Sequence, residues 1–238
     1  MSPERTPVTK SLRVGVAVPA AGSGERMGGV RKAFLELAGE PVLLHALRPF
    51  LAHPGVVAVA VAVAADVAAD PPPWLPGVDP RVRVVRGGDT RAESVARAVE
   101  ALPGDVDLIA VHDAARPLLT LRTVEECIRA ASGGEGAVAG CPAVDTVKEV
   151  DESGRITGTP RRDRLWYAHT PQVFPAAILR DAYAGAGRQA TDDAALVELR
   201  GGVVRMVDTG EPNFKVTRPE DVPLAEAVLR ARAAGGTG

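Results

Sequence analysis

The chain has 238 residues, a formal net charge of −2 and 46% apolar residues, which suits one sizeable α/β domain with a packed core. A charge so near neutral removes the electrostatic case for nonspecific binding to nucleic acid or to an anionic membrane surface, so any anion site is local. The longest apolar run, "VVAVAVAVAA" at Val56 to Ala65, is too short to cross a bilayer, the first residues lack a secretory pattern, and Cys127 and Cys141 stand outside any CxxC spacing; the expectation is a cytoplasmic protein with two buried, reduced thiols.

In chain order, "LRVGVAVPA" reads as a first strand and "PVLLHALRPFLA" as a helix. "VVAVAVAVA" follows as a strand buried on both faces, then "DPPPWLPGVDP" as a surface loop and "RVRVVRGG" as a strand. "RAESVARAVEAL" is a helix, "DLIAVHDAA" a strand, "RTVEECIRAA" a helix and "GAVAGCPAV" a strand. After Ala143 the rhythm changes, because "VDTVKEVDESGRITGTP" has two short strand-like pieces around Asp-Glu-Ser-Gly and no helix. It is expected to be a projecting β-hairpin. Helices "PAAILRDAYAGA" and "DDAALVELRGG", strand "GVVRMVD" and helix "RPEDVPLAEAVLRARA" complete the pattern. The alternation predicts a Rossmann-like, mostly parallel sheet with helices on both faces. Residues 1–11 and 234–238 are expected to be tails, and 12–233 one domain with the hairpin arm at 144–159 inside it.

The first strand runs into "VPAAGSGERMGGVRKAF", Val18 to Phe34. A dinucleotide fingerprint fails because Met27 stands where the third glycine belongs, and a Walker A loop fails because Gly29 is followed by Val30, Arg31 and Lys32. Ser23 lies in no Gly-x-Ser-x-Gly elbow. What remains is a turn whose small residues Ala20, Ala21, Gly22 and Gly24 let backbone amides approach a nucleotide, with Arg26 and Lys32 adding mobile positive charge. An ordinary tight turn with solvated basic residues is the competing reading. "VHDAARPLLT" places Asp113 and Arg116 just past a buried strand, where open α/β sheets put their ligands. Asp113 there suits a hard cation such as Mg²⁺ or a substrate hydroxyl, and is equally consistent with a capped strand end.

"PAAGSGERM" with Lys32, "GGDTRAESV", "VHDAARP", "DTVKEV", "LWYAHTPQVF", "TDDAALVE" and "FKVTRPED" occur in the order and approximate spacing of the 2-C-methyl-D-erythritol 4-phosphate cytidylyltransferases, within the nucleoside-triphosphate-transferase superfamily. The resemblance runs from Val14 to about Ala227. It implies transfer of CMP from CTP to 2-C-methyl-D-erythritol 4-phosphate with release of pyrophosphate. Pro19, Ala20, Ala21, Gly22, Gly24, Gly88, Asp89 and Ser94 would line the CTP site, and Arg26 and Lys32 would hold the triphosphate. Asp113, Arg116, Thr146, Arg162, Thr170 and Lys215 would hold the polyol phosphate, with Arg162 and Lys215 nearest its phosphate. The implied cofactor is Mg²⁺ or another divalent cation, with Asp113 helping to place it, and the implied assembly is a homodimer through the hairpin arm.

Two departures stand out: the family commonly has Pro where this chain has Arg31, and Arg161, Arg162 and Arg164 crowd one segment. Each residue also has a plainer reading. Asp89, Arg91 and Ser94 suit a helix start, Thr146 and Lys148 a solvated hairpin, Thr170 a turn before Pro171, and Lys215 and Arg218 a charged strand end before a helix opening at Pro219. His45, His53 and His169 are given no catalytic role. Alternative functions are cytidylyl transfer to another polyol phosphate such as ribitol 5-phosphate, or a non-catalytic nucleotide-binding regulator on the same scaffold.

Overall fold

The structure, a computed structural model, describes residues 12–22, 31–185 and 190–235. Strand β1 (Val14–Ala20) leads, after the segment 23–30, to a 3-10 turn at Lys32–Phe34 and a small antiparallel pair, β2 (Glu36–Leu37) and β3 (Glu40–Pro41). Next come α1 (Val42–Ala52), β4 (Val56–Val63), α2 (Ala65–Ala69), α3 (Trp74–Gly77), β5 (Val82–Arg86), α4 (Arg91–Ala101) and β6 (Leu108–Val111). Helix α5 (Leu121–Ala131) and strand β7 (Gly136–Pro142) precede the hairpin strands β8 (Glu149–Val150) and β9 (Ile156–Gly158) and a 3-10 turn at Arg162–Arg164. The chain closes with β10 (Trp166–Pro175), α6 (Ala176–Ala184), α7 (Asp193–Glu198), β11 (Val204–Asp208) and α8 (Asp221–Gly235).

Among the described residues, seven strands form one sheet in the order β11-β7-β10-β6-β1-β4-β5. Pairings β1 with β4 and β6, β4 with β5, and β7 with β11 are parallel, as the alternation predicts. Strand β10 runs antiparallel to both β6 and β7. The segment "LWYAHTPQVF" carries Pro171 and an exposed first half, so no apolar alternation marks it as a strand.

Along β1 the side chains divide by face: Val14, Val16 and Val18 pack with α1 and α5, and Ala17 packs with α4 and α6. Burial on both faces is what a run of small and β-branched residues permits. A third cluster, Leu37, Val42, Leu118, Val216 and Ala225, seats α8 beside the β2–β3 pair. Helix α8 opens at Asp221, two residues after Pro219, because the Asp221 carboxylate accepts from the backbone N–H of Thr217 at 2.6 Å and of Arg218 at 2.8 Å. The Pro-rich stretch 70–80 contains the short helix α3 and sends Leu75 into the core. Of the two cysteines, Cys127 is buried as expected, but Cys141 is only partly buried near the end of β7. No helix among the described residues is long and apolar enough to cross a membrane.

Candidate active site

Strand order reverses at β1, with β4 and β5 on one side of it and β6 on the other. The carboxyl ends of these strands therefore open a crevice, the place where an open α/β sheet receives a ligand. A cleft of about 720 Å³ occupies it. One wall is the end of β1, Pro19 to Gly22, and facing it is the β5–α4 connection, Arg86 to Arg91, with Ser94. Lys32, Ala33, Ala64 and Ala65 line it on the side of the 3-10 turn, and Asp113, Ala114, Ala115 and Lys215 on the other.

The β5–α4 connection owes its shape to close backbone contacts. A Cβ at Gly87 would lie 2.6 Å from the Ala21 Cβ and 3.1 Å from the Val63 carbonyl, and one at Gly88 would lie 2.2 Å from the Glu93 Cβ. Only glycine lets this loop fold against the end of β1 and the first turn of α4. Helix α4 is capped by Thr90, whose hydroxyl accepts from Glu93 N–H while the Glu93 carboxylate accepts from the Thr90 N–H, a reciprocal box. The cap is Thr90 and not Asp89 or Ser94. Ser94 is buried, accepting from Gly88 N–H at 3.1 Å and donating to the Thr90 carbonyl at 3.0 Å. These bonds fix the loop and leave Asp89 on the cleft wall.

At the other end stands Asp113, 7% exposed and surrounded by cations. Arg91 Nε donates to Oδ1 at 3.0 Å and Lys215 Nζ to Oδ2 at 2.9 Å, and Arg116 Nε lies 3.5 Å from Oδ2. Burial alone pushes a carboxyl pKa up, but here Arg91, Lys215 and Arg116 outweigh it and hold Asp113 well below the usual carboxylate range. The described charged residues lining the cleft are Lys32, Arg86, Arg91 and Lys215 against Asp89 and Asp113, a balance that suits a polyanion.

The Asp113 backbone is held by a directed chain of hydrogen bonds. His112 Nε2 lies 3.2 Å from the Arg116 carbonyl, which can only accept, so Nε2 carries the proton and Nδ1 is an acceptor. The Thr170 hydroxyl, 2.9 Å from Nδ1, therefore donates to it and accepts from Asp113 N–H at 3.0 Å. Burial pushes the fully buried His112 down to about 4, consistent with a neutral ring. Thr170, expected to touch substrate, is instead buried behind Asp113 with its hydroxyl committed on both sides. Its carbonyl accepts from Asn213 Nδ2 at 2.7 Å, and the Asn213 carbonyl accepts from Arg116 Nη1 at 2.7 Å, so Arg116 also braces the site from behind.

The structure thus brings Pro19, Ala20, Ala21, Gly22, Lys32, Gly88, Asp89, Ser94, Asp113 and Lys215 to one cleft. Gly24 and Arg26 lie outside the described residues. Thr146 sits on the exposed hairpin arm and Arg162 on the 3-10 turn at its base, and neither lines the cleft of its own chain. Within the arginine cluster, Arg161 pairs with Asp163 at 2.6 Å and Arg162 donates to the Val144 carbonyl at 2.7 Å, bracing the base of the arm. Arg31 pairs with Asp66 on α2 at 2.7 Å. Sequence reasoning missed Arg91 and Asp193, reading the first as a helix-start residue. Arg91 also donates from Nη2 to Asp193 Oδ2 at 2.8 Å. Arg91 lies in "GGDTRAESV" and Asp193 in "TDDAALVE", but nothing local says that the two segments meet.

Asp113, expected to help place a divalent cation, is engaged by cations of the chain itself. Both of its oxygens are paired with cations, and the described residues contain no cluster of three or more His, Cys, Asp or Glu able to hold a metal.

A sequence profile of the family described as IspD, 2-C-methyl-D-erythritol 4-phosphate cytidylyltransferase, matches residues 14–231. The chain belongs to this family. Cytidylyltransferases of that name from Acidobacterium capsulatum and Symbiobacterium thermophilum are 42% and 44% identical to it, covering 93% and 92% of this chain and 99% and 94% of their own lengths. Among solved structures, the 4-diphosphocytidyl-2C-methyl-D-erythritol synthase of Anaerococcus prevotii superposes with a TM-score of 0.81 at 26% identity, covering 93% of this chain and all of that one. The cytidylyltransferase of Thermus thermophilus gives 0.75 at 32% identity, covering 93% and 100%.

Proposed function

We propose that the cleft binds CTP along Pro19–Gly22 and Gly88–Ser94, directs its triphosphate toward Lys32, and receives the phosphate of 2-C-methyl-D-erythritol 4-phosphate at the Asp113–Lys215 end. This chain transfers CMP from the first to the second. An oxygen of the acceptor phosphate attacks the α-phosphorus, the bond from that phosphorus to the bridging oxygen breaks, and pyrophosphate leaves with the bonding electrons. The observation that carries this reading is the cation-bound carboxylate at one end of a cleft whose other wall is glycine loop.

The attacking oxygen is already anionic, so no general base is required. That agrees with the surroundings of the two titratable candidates, His112 being neutral and buried and Asp113 ionised and ion-paired. The task left to the chain is electrostatic: to bring two polyanions together and to stabilise charge growing on the α-phosphate and the leaving group. Lys32 and Arg26 serve the triphosphate, and Lys215 serves the acceptor, joined by Arg162 from the arm base of a second copy of the chain. Asp113 keeps Lys215 oriented and accepts from an acceptor hydroxyl. A divalent cation, Mg²⁺ being the natural partner of phosphate oxygens, supplies further charge neutralisation when it arrives with CTP.

Pyrophosphate release measured across the four nucleoside triphosphates, with erythritol and ribitol phosphates as acceptors, tests the reading. Turnover is expected with CTP and 2-C-methyl-D-erythritol 4-phosphate and is expected to cease in excess chelator. Equal turnover with ribitol 5-phosphate, or CTP binding without release, would overturn it.

A further inference from the structure

Asp193 opens α7 and is completely buried, a costly place for a carboxylate unless it is both paired and hydrogen-bonded. Tyr183 of α6 donates its hydroxyl to Oδ1, and Arg91 Nη2 donates to Oδ2 at 2.8 Å. The same guanidinium reaches Asp113 Oδ1 through Nε at 3.0 Å. One planar cation therefore spans two carboxylates, with α6 and α7 behind it and the cleft in front. Burial works against the charge on Arg91, but Asp193 and Asp113 outweigh it and hold its pKa above the ordinary value. The anchor is itself fixed. Gln172 of β10 donates to Asp192 Oδ2 at 2.8 Å and accepts from Ala194 N–H at 2.8 Å, so the start of α7 is bound to the central sheet on both sides of Asp193.

We propose that Arg91 is a positioning residue of the transfer reaction: anchored on Asp193, it fixes the Asp113 carboxylate and, through it, the Lys215 ammonium that receives the acceptor phosphate. The inference rests on the acceptor end proposed above. A lysine at position 91 would keep the charge but not the fork, because one ammonium cannot span both carboxylates as Nε and Nη2 do.

Arg91→Lys, Asp193→Asn and Tyr183→Phe are to be compared by CTP calorimetry, by transfer kinetics and by crystal structures read at Asp113. Cooperative unfolding curves show which variants are folded, and CTP calorimetry reads any loss at the nucleotide wall, which Arg91 also lines. The kcat/KM for the acceptor is expected to fall ~10²-fold in Arg91→Lys and Asp193→Asn, the order of loss when a reacting group is misplaced by about an ångström. Tyr183→Phe, which removes one hydroxyl, keeps the experiment decisive if Asp193→Asn does not fold, and is expected to lose less in the same parameter. Methylguanidine is expected to restore activity to Arg91→Ala and not to Asp193→Asn, which still has its guanidinium. In the crystal, Asp113 of Asp193→Asn is expected to swing away from Lys215. Near-normal acceptor kinetics in Arg91→Lys, or an unmoved Asp113–Lys215 contact in Asp193→Asn, would overturn the proposal. Should the parent chain transfer nothing to the erythritol phosphate, the acceptor reading fails by itself, and the Asp113 geometry in the variants still decides the role of Arg91.

Discussion

Lys32 lies on a 3-10 turn and lines the cleft; in the transfer reaction proposed above, its ammonium would follow charge from the α-phosphate to the departing pyrophosphate. Lys32→Ala and Arg26→Ala are each expected to lower kcat by ~10²–10³, the usual loss when a positioned donor to developing charge is removed, with unfolding curves little changed. Near-normal turnover in either variant would remove that residue from the transition state. His112 makes a different prediction, about stability. Burial depresses its folded pKa to about 4, whereas the unfolded chain takes up this proton near 6.5. Between those values the unfolded state binds more protons, so His112 costs the native state stability as pH falls from about 6.5 to about 4, by about 3 kcal/mol in all. Asp113 adds no slope in the upper part of that window, because its carboxyl is ionised in both states there. His169, also lowered to about 4 by burial, acts in the same direction as His112. Denaturant unfolding of the parent chain and of His112→Gln at pH 7 and pH 5 separates them: the parent is expected to lose more stability between the two pH values. Equal losses would mean that His112 is not held neutral.

The central strands β1, β4, β6 and β7 are legible in the sequence because they are apolar or small at nearly every position, and helices α1, α4 and α5 because their apolar residues recur at helical spacing. Strand β10 is not, since Trp166 to Ala168 pair with β7 at the exposed end of the sheet and Pro171 interrupts the pattern. That strand carries Thr170, whose plainer reading is a turn before Pro171; as a strand residue beside β6 it hydrogen-bonds Asp113 and His112. The glycine loops and the ends of β1 and β6 were legible as ligand-binding positions because chemistry and strand end coincide there. The Arg91–Asp193 bridge was not, being set by a contact between residues 102 apart. Arg31 was legible only as a departure. The structure gives it a partner, Asp66, whose carboxyl the Arg31 hydrogen bond holds below its ordinary pKa, and Phe34 meets Trp74 edge-on at 6.2 Å nearby. These two contacts tie the turn bearing Lys32 to the segment after β4. Because the ion pair is exposed, Asp66→Asn is expected to raise the KM for CTP only about two- to fivefold. The difference should vanish at high salt and be reversed by the double exchange Arg31→Asp with Asp66→Arg. A larger, salt-independent effect would mean that Arg31 contacts the nucleotide itself.

At the scale of the molecule, the arm is the feature that one chain does not satisfy. Strands β8 and β9 are two and three residues long, and a lone hairpin of this size is marginal in water. Its apolar side chains face outward: Val144 is 73% exposed, Val150 56% and Ile156 63%, with Trp166 and Tyr167 also exposed. The turn itself is well made, Asp151 accepting from the N–H groups of Ser153 and Arg155, so the exposed apolar groups are presented on an ordered element. A two-fold pairing of arms covers them with the fewest new surfaces, since the same patch serves both chains. It also accounts for Thr146 and Arg162, which are absent from the cleft of their own chain and would complete the acceptor site of the other. Mixing Lys32→Ala chains with Arg162→Ala chains tests this. If Arg162 acts across the dimer, half of the dimers at equal mixing are heterodimers with one intact site of two, and about a quarter of the parental activity returns. If Arg162 acts within its own chain, every site in the mixture carries a lesion and nothing returns. A monomeric mass by light scattering at assay concentration, or no recovery despite demonstrated subunit exchange, would remove the shared site and leave the transfer reaction standing within one chain.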